Sequence, residues 1–218
     1  MNTKSFRITG SDVFTAIQMY LAYYFAKAQM LKMMVSVQGM TINWLLCALI
    51  FISLNLVISI GLYGKTRSHS ALQTLIIYAW WVVLLVPTVT IAFIKCAWIG
   101  QDTLILTLII VAATIVSFWG RANSRSMADP VIRGILIGLF RVVPHLYLTY
   151  RVILAGSSRG LAPGAVWAAN ITAFARIATL CIQGHKSNWD KGTKAMLLAE
   201  SANEGSWLLV TLMWYIYR

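Results

Sequence analysis

The chain has 218 residues, of which 59% are apolar and 11% charged, and its mean hydropathy is +0.74. A soluble domain carries about 25% charged residues, so an ordinary cytosolic enzyme, a disordered chain and a basic nucleic-acid arm are all excluded. Lys and Arg outnumber Asp and Glu by 18 to 6. Most of the basic residues sit in short stretches between apolar segments, where retention of cytoplasmic loops accounts for them better than nucleic acid does.

A helix that crosses a bilayer needs about 20 largely apolar residues. The first candidate, 13–34, carries Gln18, Lys27, Gln29 and Lys32. It is read as a span because its first half is apolar and aromatic and Lys32 can snorkel, with an interfacial helix as the alternative. Five stretches then meet the requirement comfortably: 42–63, 72–95, 102–120, 131–153 and 165–184. The last, 194–217, is apolar except for Glu200, Asn203 and Glu204. The predicted fold is all-α: seven transmembrane helices joined by short connections, in one membrane domain, with no room for an extramembrane domain. Cys47, Cys96 and Cys181 are scattered through apolar sequence, which predicts neither a disulfide framework nor a metal site. The N-terminal MNTKSFRITGSD lacks an apolar run leading to a cleavage site, so a cleaved signal peptide is not expected.

Seven spans place the termini on opposite sides. Lys4, Arg7, Lys65, Arg67, Arg121, Arg125, Arg133, Lys186, Lys191 and Lys194 fall on one side, and Lys27, Lys32, Lys95, Arg151, Arg159 and Arg218 on the other. The excess puts the N-terminus in the cytoplasm, and a bacterial inner membrane is the expected location.

The two ends of the chain are weakly similar. FTAIQMYLAYY followed by SVQGM aligns with FRVVPHLYLTY followed by SSRGL, pairing Phe14 with Phe140, Tyr24 with Tyr150, Ser36 with Ser157 and Gly39 with Gly160. This divides the chain into a first three-helix half (13–95), a connector helix (102–120) and a second three-helix half (131–217). The run Pro144-His145-Leu146, Tyr150-Arg151 and Ser157-Ser158-Arg159-Gly160-Leu161 resembles the signature of the SWEET/PQ-loop superfamily, small seven-helix transporters that include related vitamin uptake proteins. The resemblance covers about 20 residues of the second half. It departs from the pattern where His145 stands in place of Gln, and the first half has Gln18-Met19 without a proline. The resemblance implies a 3+1+3 helix arrangement, alternating access and helix prolines acting as hinges, here Pro144 with Pro87 as its counterpart. It also implies a sugar-type pocket lined by tryptophan and asparagine.

Independently of the resemblance, Arg141, Arg176 and Glu204 fall at the centres of the last three spans. Glu200 is one turn from Glu204 and His145 one turn from Arg141, because residues four apart share a helix face. A charge at mid-bilayer costs about 2.5–3.5 kcal/mol on insertion scales, so these groups must pair or face water. Two readings stand side by side: a structural network joining the last three helices, and a midplane site for a polar solute, with the glutamates and His145 allowing proton linkage. Trp80 and Trp81, Trp167, Asn170 and Asn203 are the candidate walls and hydrogen-bonding groups. The expected function is transport of a small polar solute (a sugar, a vitamin or nucleoside, or an amino acid). The alternatives are a non-transporting subunit or assembly factor and, less favoured, a membrane-embedded lipid-modifying enzyme. The expected partners are a small-molecule substrate and the lipid bilayer, not nucleic acid, with self-association into a homo-oligomer left open. No cofactor or metal is expected.

Enzyme motifs argue against catalysis. Gly156-Ser157 lacks a histidine in a later span, His-Glu-x-x-His is absent, the four aspartates are far apart, GHKSNWDKGTK stands without the other motifs of an acyltransferase, and Gly205 occupies the place where a retinal-binding lysine would sit.

Overall fold

The computed structural model describes residues 10–218 apart from Ala97 and Ser187. Lys4 and Arg7, used in the charge balance, lie outside the described residues. Seven long helices follow one another: α1 (Gly10–Val35), α2 (Ile42–Thr66), α3 (His69–Lys95), α4 (Gly100–Ala122), α5 (Pro130–Ala155), α6 (Pro163–Lys186) and α7 (Lys191–Ile216). There is no strand among the described residues. Five of the helices, α2 to α6, are long and apolar enough to cross a membrane, α6 over Pro163–Ile182. The chain is therefore read as an integral membrane protein. On α4, Leu104, Leu108, Val111, Ile115 and Phe118 are exposed, a surface that suits lipid and not water.

Helix ends follow local chemistry. Thr41 and Ser68 cap α2 and α3 by accepting from the backbone N–H groups of Asn43 and Ala71. Asp129 accepts from Val131 and Ile132, with Pro130 at the first position of α5, where a missing N–H does no harm. Gly156 ends α5 with a positive φ of 57°. Within α5, residues Gly138–Val142 form a π-turn. Its cause is next door: Pro144 lacks an N–H and its ring crowds the carbonyl four residues back, so the preceding turn widens. The kink expected at Pro144 is thus displaced to the turn that carries Arg141. Pro87 behaves differently, since α3 runs through it as one helix.

Packing forms two groups of three. α3 packs against both α1 and α2, and α7 packs against both α5 and α6. Across the groups α1 meets α6, and α2 meets α5. α4 packs lightly, against α2 and α5. The polar interior of α1 is settled by this packing: Gln29 is fully buried, donates to the carbonyl of Gly160 (2.8 Å) and accepts from the N–H of Ala162 (3.1 Å).

One end of the bundle is tied together by its connecting segments. The segments 36–41 and 156–162, aligned above by sequence, lie against each other. Gly160 N–H donates to the carbonyl of Gln38 (2.9 Å), and Ser158 donates from its N–H to Tyr217 (2.9 Å) and from its hydroxyl to Trp214 (3.0 Å). Asp102, fully buried at the start of α4, accepts from the Thr41 hydroxyl (2.8 Å) and the Ile99 N–H (3.0 Å) and pairs with Arg151 (3.5 Å). The other end holds Asp12 on α1 with His69 and Gln73 on α3, both contacts at 2.8 Å.

Candidate functional site

Between the two groups lies a cavity of about 70 Å³, lined by residues of every long helix except α4. Toward the tied end its wall is aromatic. Trp44 stacks on Trp207 (ring centroids 5.4 Å), and Phe25 meets Trp44 and Trp81 edge-on at 5.9 and 5.7 Å. Near the middle of α5, α6 and α7 the wall turns polar, with Arg141, His145, Arg176 and Asn203. A space of this size holds a few water molecules, about half of the roughly 150 Å³ void that admits benzene.

Hydrogen bonds order the polar part. The Ser206 hydroxyl donates to the carbonyl of Asn203 (2.7 Å). Its oxygen is then left to accept from Nδ1 of His145 at 3.0 Å, so Nδ1 carries the proton. The His145 ring also packs against Trp207 (4.8 Å). Arg176 and Glu200 form an ion pair at 3.7 Å, too long for a hydrogen bond, and Asn203 donates to Glu200 at 3.3 Å. Arg141 lies over the Phe51 ring at 5.6 Å, and its Nε is buried without a hydrogen bond.

Of the residues proposed from sequence, Arg141, His145, Arg176 and Asn203 meet at this cavity, with Glu200 behind Arg176. Four others do not line it. Trp167 is 58% exposed on the outer face of α6 and is no wall of the cavity. Trp80 donates to the Met19 carbonyl at 3.0 Å, and its neighbour Trp81 takes the wall position. Asn170 is turned to α7, donating to Thr211 (3.0 Å) and to Val166 in its own helix (2.9 Å). Glu204 is buried, and neither of its carboxylate oxygens has a hydrogen-bond partner among the described residues. Of the structural network expected between the last three helices, the described residues form one ion pair, Arg176–Glu200.

The wall residues that sequence reasoning passed over are Phe25, Trp44 and Trp207, with Ser206 supporting His145; of the two adjacent candidates Trp80 and Trp81, only Trp81 is on the wall. A four-residue spacing to the singled-out Asn203 put Trp207 within reach, but nothing local separates Trp81 from Trp80. Cys47, Cys96 and Cys181 are all unpaired.

The two glutamates predict opposite stability effects. A buried acceptor left unmade costs about 1–3 kcal/mol, so Glu204→Leu is expected to raise the melting temperature in detergent. Glu200→Leu strips Arg176 and Asn203 of their partner and is expected to lower it, by about 1 kcal/mol for a partly exposed pair. Parallel thermal unfolding of the two variants checks the signs.

No known family model matches this chain, and no curated protein and no solved structure is significantly similar to it.

Proposed function

We propose that the chain is a carrier that crosses the membrane seven times and moves a small polar solute by rocking its two three-helix groups about the central cavity. α1 and α7 complete the seven spans. Asp12, Lys32, Lys191 and Lys194 lie near the helix ends and Glu200 and Glu204 inside the bundle, while Lys27, two turns from the end of α1, is exposed and lies over the Tyr23 ring. The observation that carries the reading is the cavity between the groups, where ionisable side chains of α5 and α6 converge near mid-helix. Solute sites in carriers built from repeats lie at such an interface. Two further features support it. In each group the third helix lies between the other two, and the cross-group contacts are reciprocal, as a repeat requires. The π-turn beside Pro144 gives α5 a place to bend without breaking further hydrogen bonds. The SWEET-like resemblance agrees with this arrangement, with Pro144 and Pro87 as the hinge pair.

The second reading, a non-transporting subunit, is favoured by one observation: the Arg176–Glu200 pair ties α6 to α7. The experiment that separates them is uptake into vesicles reconstituted with the purified protein, run beside a thermal-shift panel of sugars, nucleosides, amino acids and carboxylic acids. A carrier gives saturable uptake of at least one solute that also raises the melting temperature. Absence of both across the panel overturns the carrier.

A further inference from the structure

The charge on the cavity wall narrows the solute class, an inference that rests on the carrier reading. Among the described residues the wall carries two guanidinium groups, Arg141 and Arg176, and no carboxylate. Glu200 stands behind Arg176, and Glu204 is not on the wall. Arg141 lies within electrostatic range of Arg176 and Glu200, yet it forms no ion pair among the described residues, and its Nε has no acceptor. Two cations thus share one carboxylate at a cavity whose remaining wall is aromatic and aliphatic apart from His145, Thr172 and Asn203. Guanidinium groups present planar forks of donors that match an oxyanion. The approach is biased the same way. Arg176 keeps a side-chain exposure of 30%, and the bundle end that α6 runs toward carries Lys65, Arg67, Arg121, Arg125 and Lys191 against Asp12, Asp129 and Asp190, a net positive field that concentrates anions.

The geometry points to a small carboxylate anion as the ligand of this cavity, its oxygens accepting from Arg141 and Arg176 and its short apolar body lying against Trp44, Trp81 and Trp207. The largely apolar wall argues against a bare inorganic anion, whose remaining oxygens would face mostly ring and aliphatic carbon. About 70 Å³ suits an acid of two to four carbons.

The test titrates the purified full chain with propionate, propionamide and inorganic phosphate at constant ionic strength, reading the melting temperature. Propionate is expected to give a saturable rise, and propionamide and phosphate none. Arg141→Gln is expected to weaken the propionate effect about tenfold or more, the scale of a lost charge-assisted hydrogen bond. Its ligand-free melting temperature should stay near wild type, since Arg141 has no ion pair to lose. Arg141→Lys should recover part of the affinity by charge alone, and Trp81→Ala should weaken propionate without creating a response to phosphate. Equal stabilisation by propionamide, a phosphate effect in place of the propionate effect, or undiminished propionate binding in Arg141→Gln and Trp81→Ala overturns the assignment. Parallel flux assays keep the two readings apart. Propionate binding with no flux of any solute removes the carrier and leaves the site. Flux of a neutral sugar, indifferent to propionate, removes the site and leaves the carrier.

Discussion

Gly39→Val is expected to lose about 2–6 kcal/mol of stability, enough to leave little folded protein at 37 °C. Two independent costs meet at this position. Its φ of +78° lies in the left-handed region, where a β-branched residue is strained by about 1–3 kcal/mol. A Cβ placed there also drives into the backbone carbonyl of Ser157, and a carbonyl cannot move aside as a side-chain tip can. Overpacking of that kind adds about 1–3 kcal/mol. Gly160→Val meets the same obstacle from the facing loop. Its Cβ would lie 2.8 Å from the Val37 carbonyl carbon and 2.9 Å from the Gln38 oxygen. Gly64 in α2 supplies the control, since nothing lies within 4 Å of an added Cβ and its φ is not positive. Gly64→Ala should be neutral or stabilising by up to about 1 kcal/mol. Thermal unfolding in one detergent, with the folded yield by size-exclusion chromatography, checks all three. A Gly39→Val protein as stable as Gly64→Ala would mean that the two segments do not lie against each other.

The correspondence of Gly39 with Gly160 was legible in sequence, but not that their two segments pack against each other, because a repeat alignment equates positions without saying which of them touch. The apolar cores of α2 to α6 were legible for the same reason that they fold: bilayer thickness sets their length. Elsewhere local sequence is degenerate. Trp80 and Trp81 are adjacent, and successive helix positions point about 100° apart. Which of them faces the cavity is decided by how α3 lies between α1 and α2. Gln29 argued for an interfacial α1 until its partners, Gly160 and Ala162, were found more than 130 residues away. Pro144 announced a kink but not its form, since the lost hydrogen bond can be absorbed on either side of the proline. Trp167 and Asn170 were chosen by type, and residue type does not reveal which face of α6 meets lipid and which meets α7.

Asp102 is the residue that sequence reasoning left out, and its removal is expected to cost about as much as the glycine change. An aspartate at the start of a helix ordinarily reads as a favourable charge near the helix dipole, worth well under about 1 kcal/mol when exposed. Here the carboxylate is fully buried and joins three parts of the molecule: Thr41 ahead of α2, the Ile99 N–H ahead of α4 and Arg151 of α5. Its own carbonyl accepts from Asn43 at 2.8 Å. It is also the main polar tether of α4, whose only other buried residues are Ile109, Ala113 and Gly120. Asp102→Ala leaves Arg151, with a side-chain exposure of 19%, without its carboxylate. Breaking a largely buried pair from one side costs about 3–5 kcal/mol. Asp102→Asn keeps an acceptor for Thr41 and should lose less. Because the penalty for the single change lies in the stranded guanidinium, Asp102→Leu combined with Arg151→Leu is expected to be more stable than Asp102→Leu alone, and a double-mutant cycle reads the coupling directly. Additive effects in that cycle would show that α4 is held by apolar packing and that the Asp102–Arg151 contact clasps nothing.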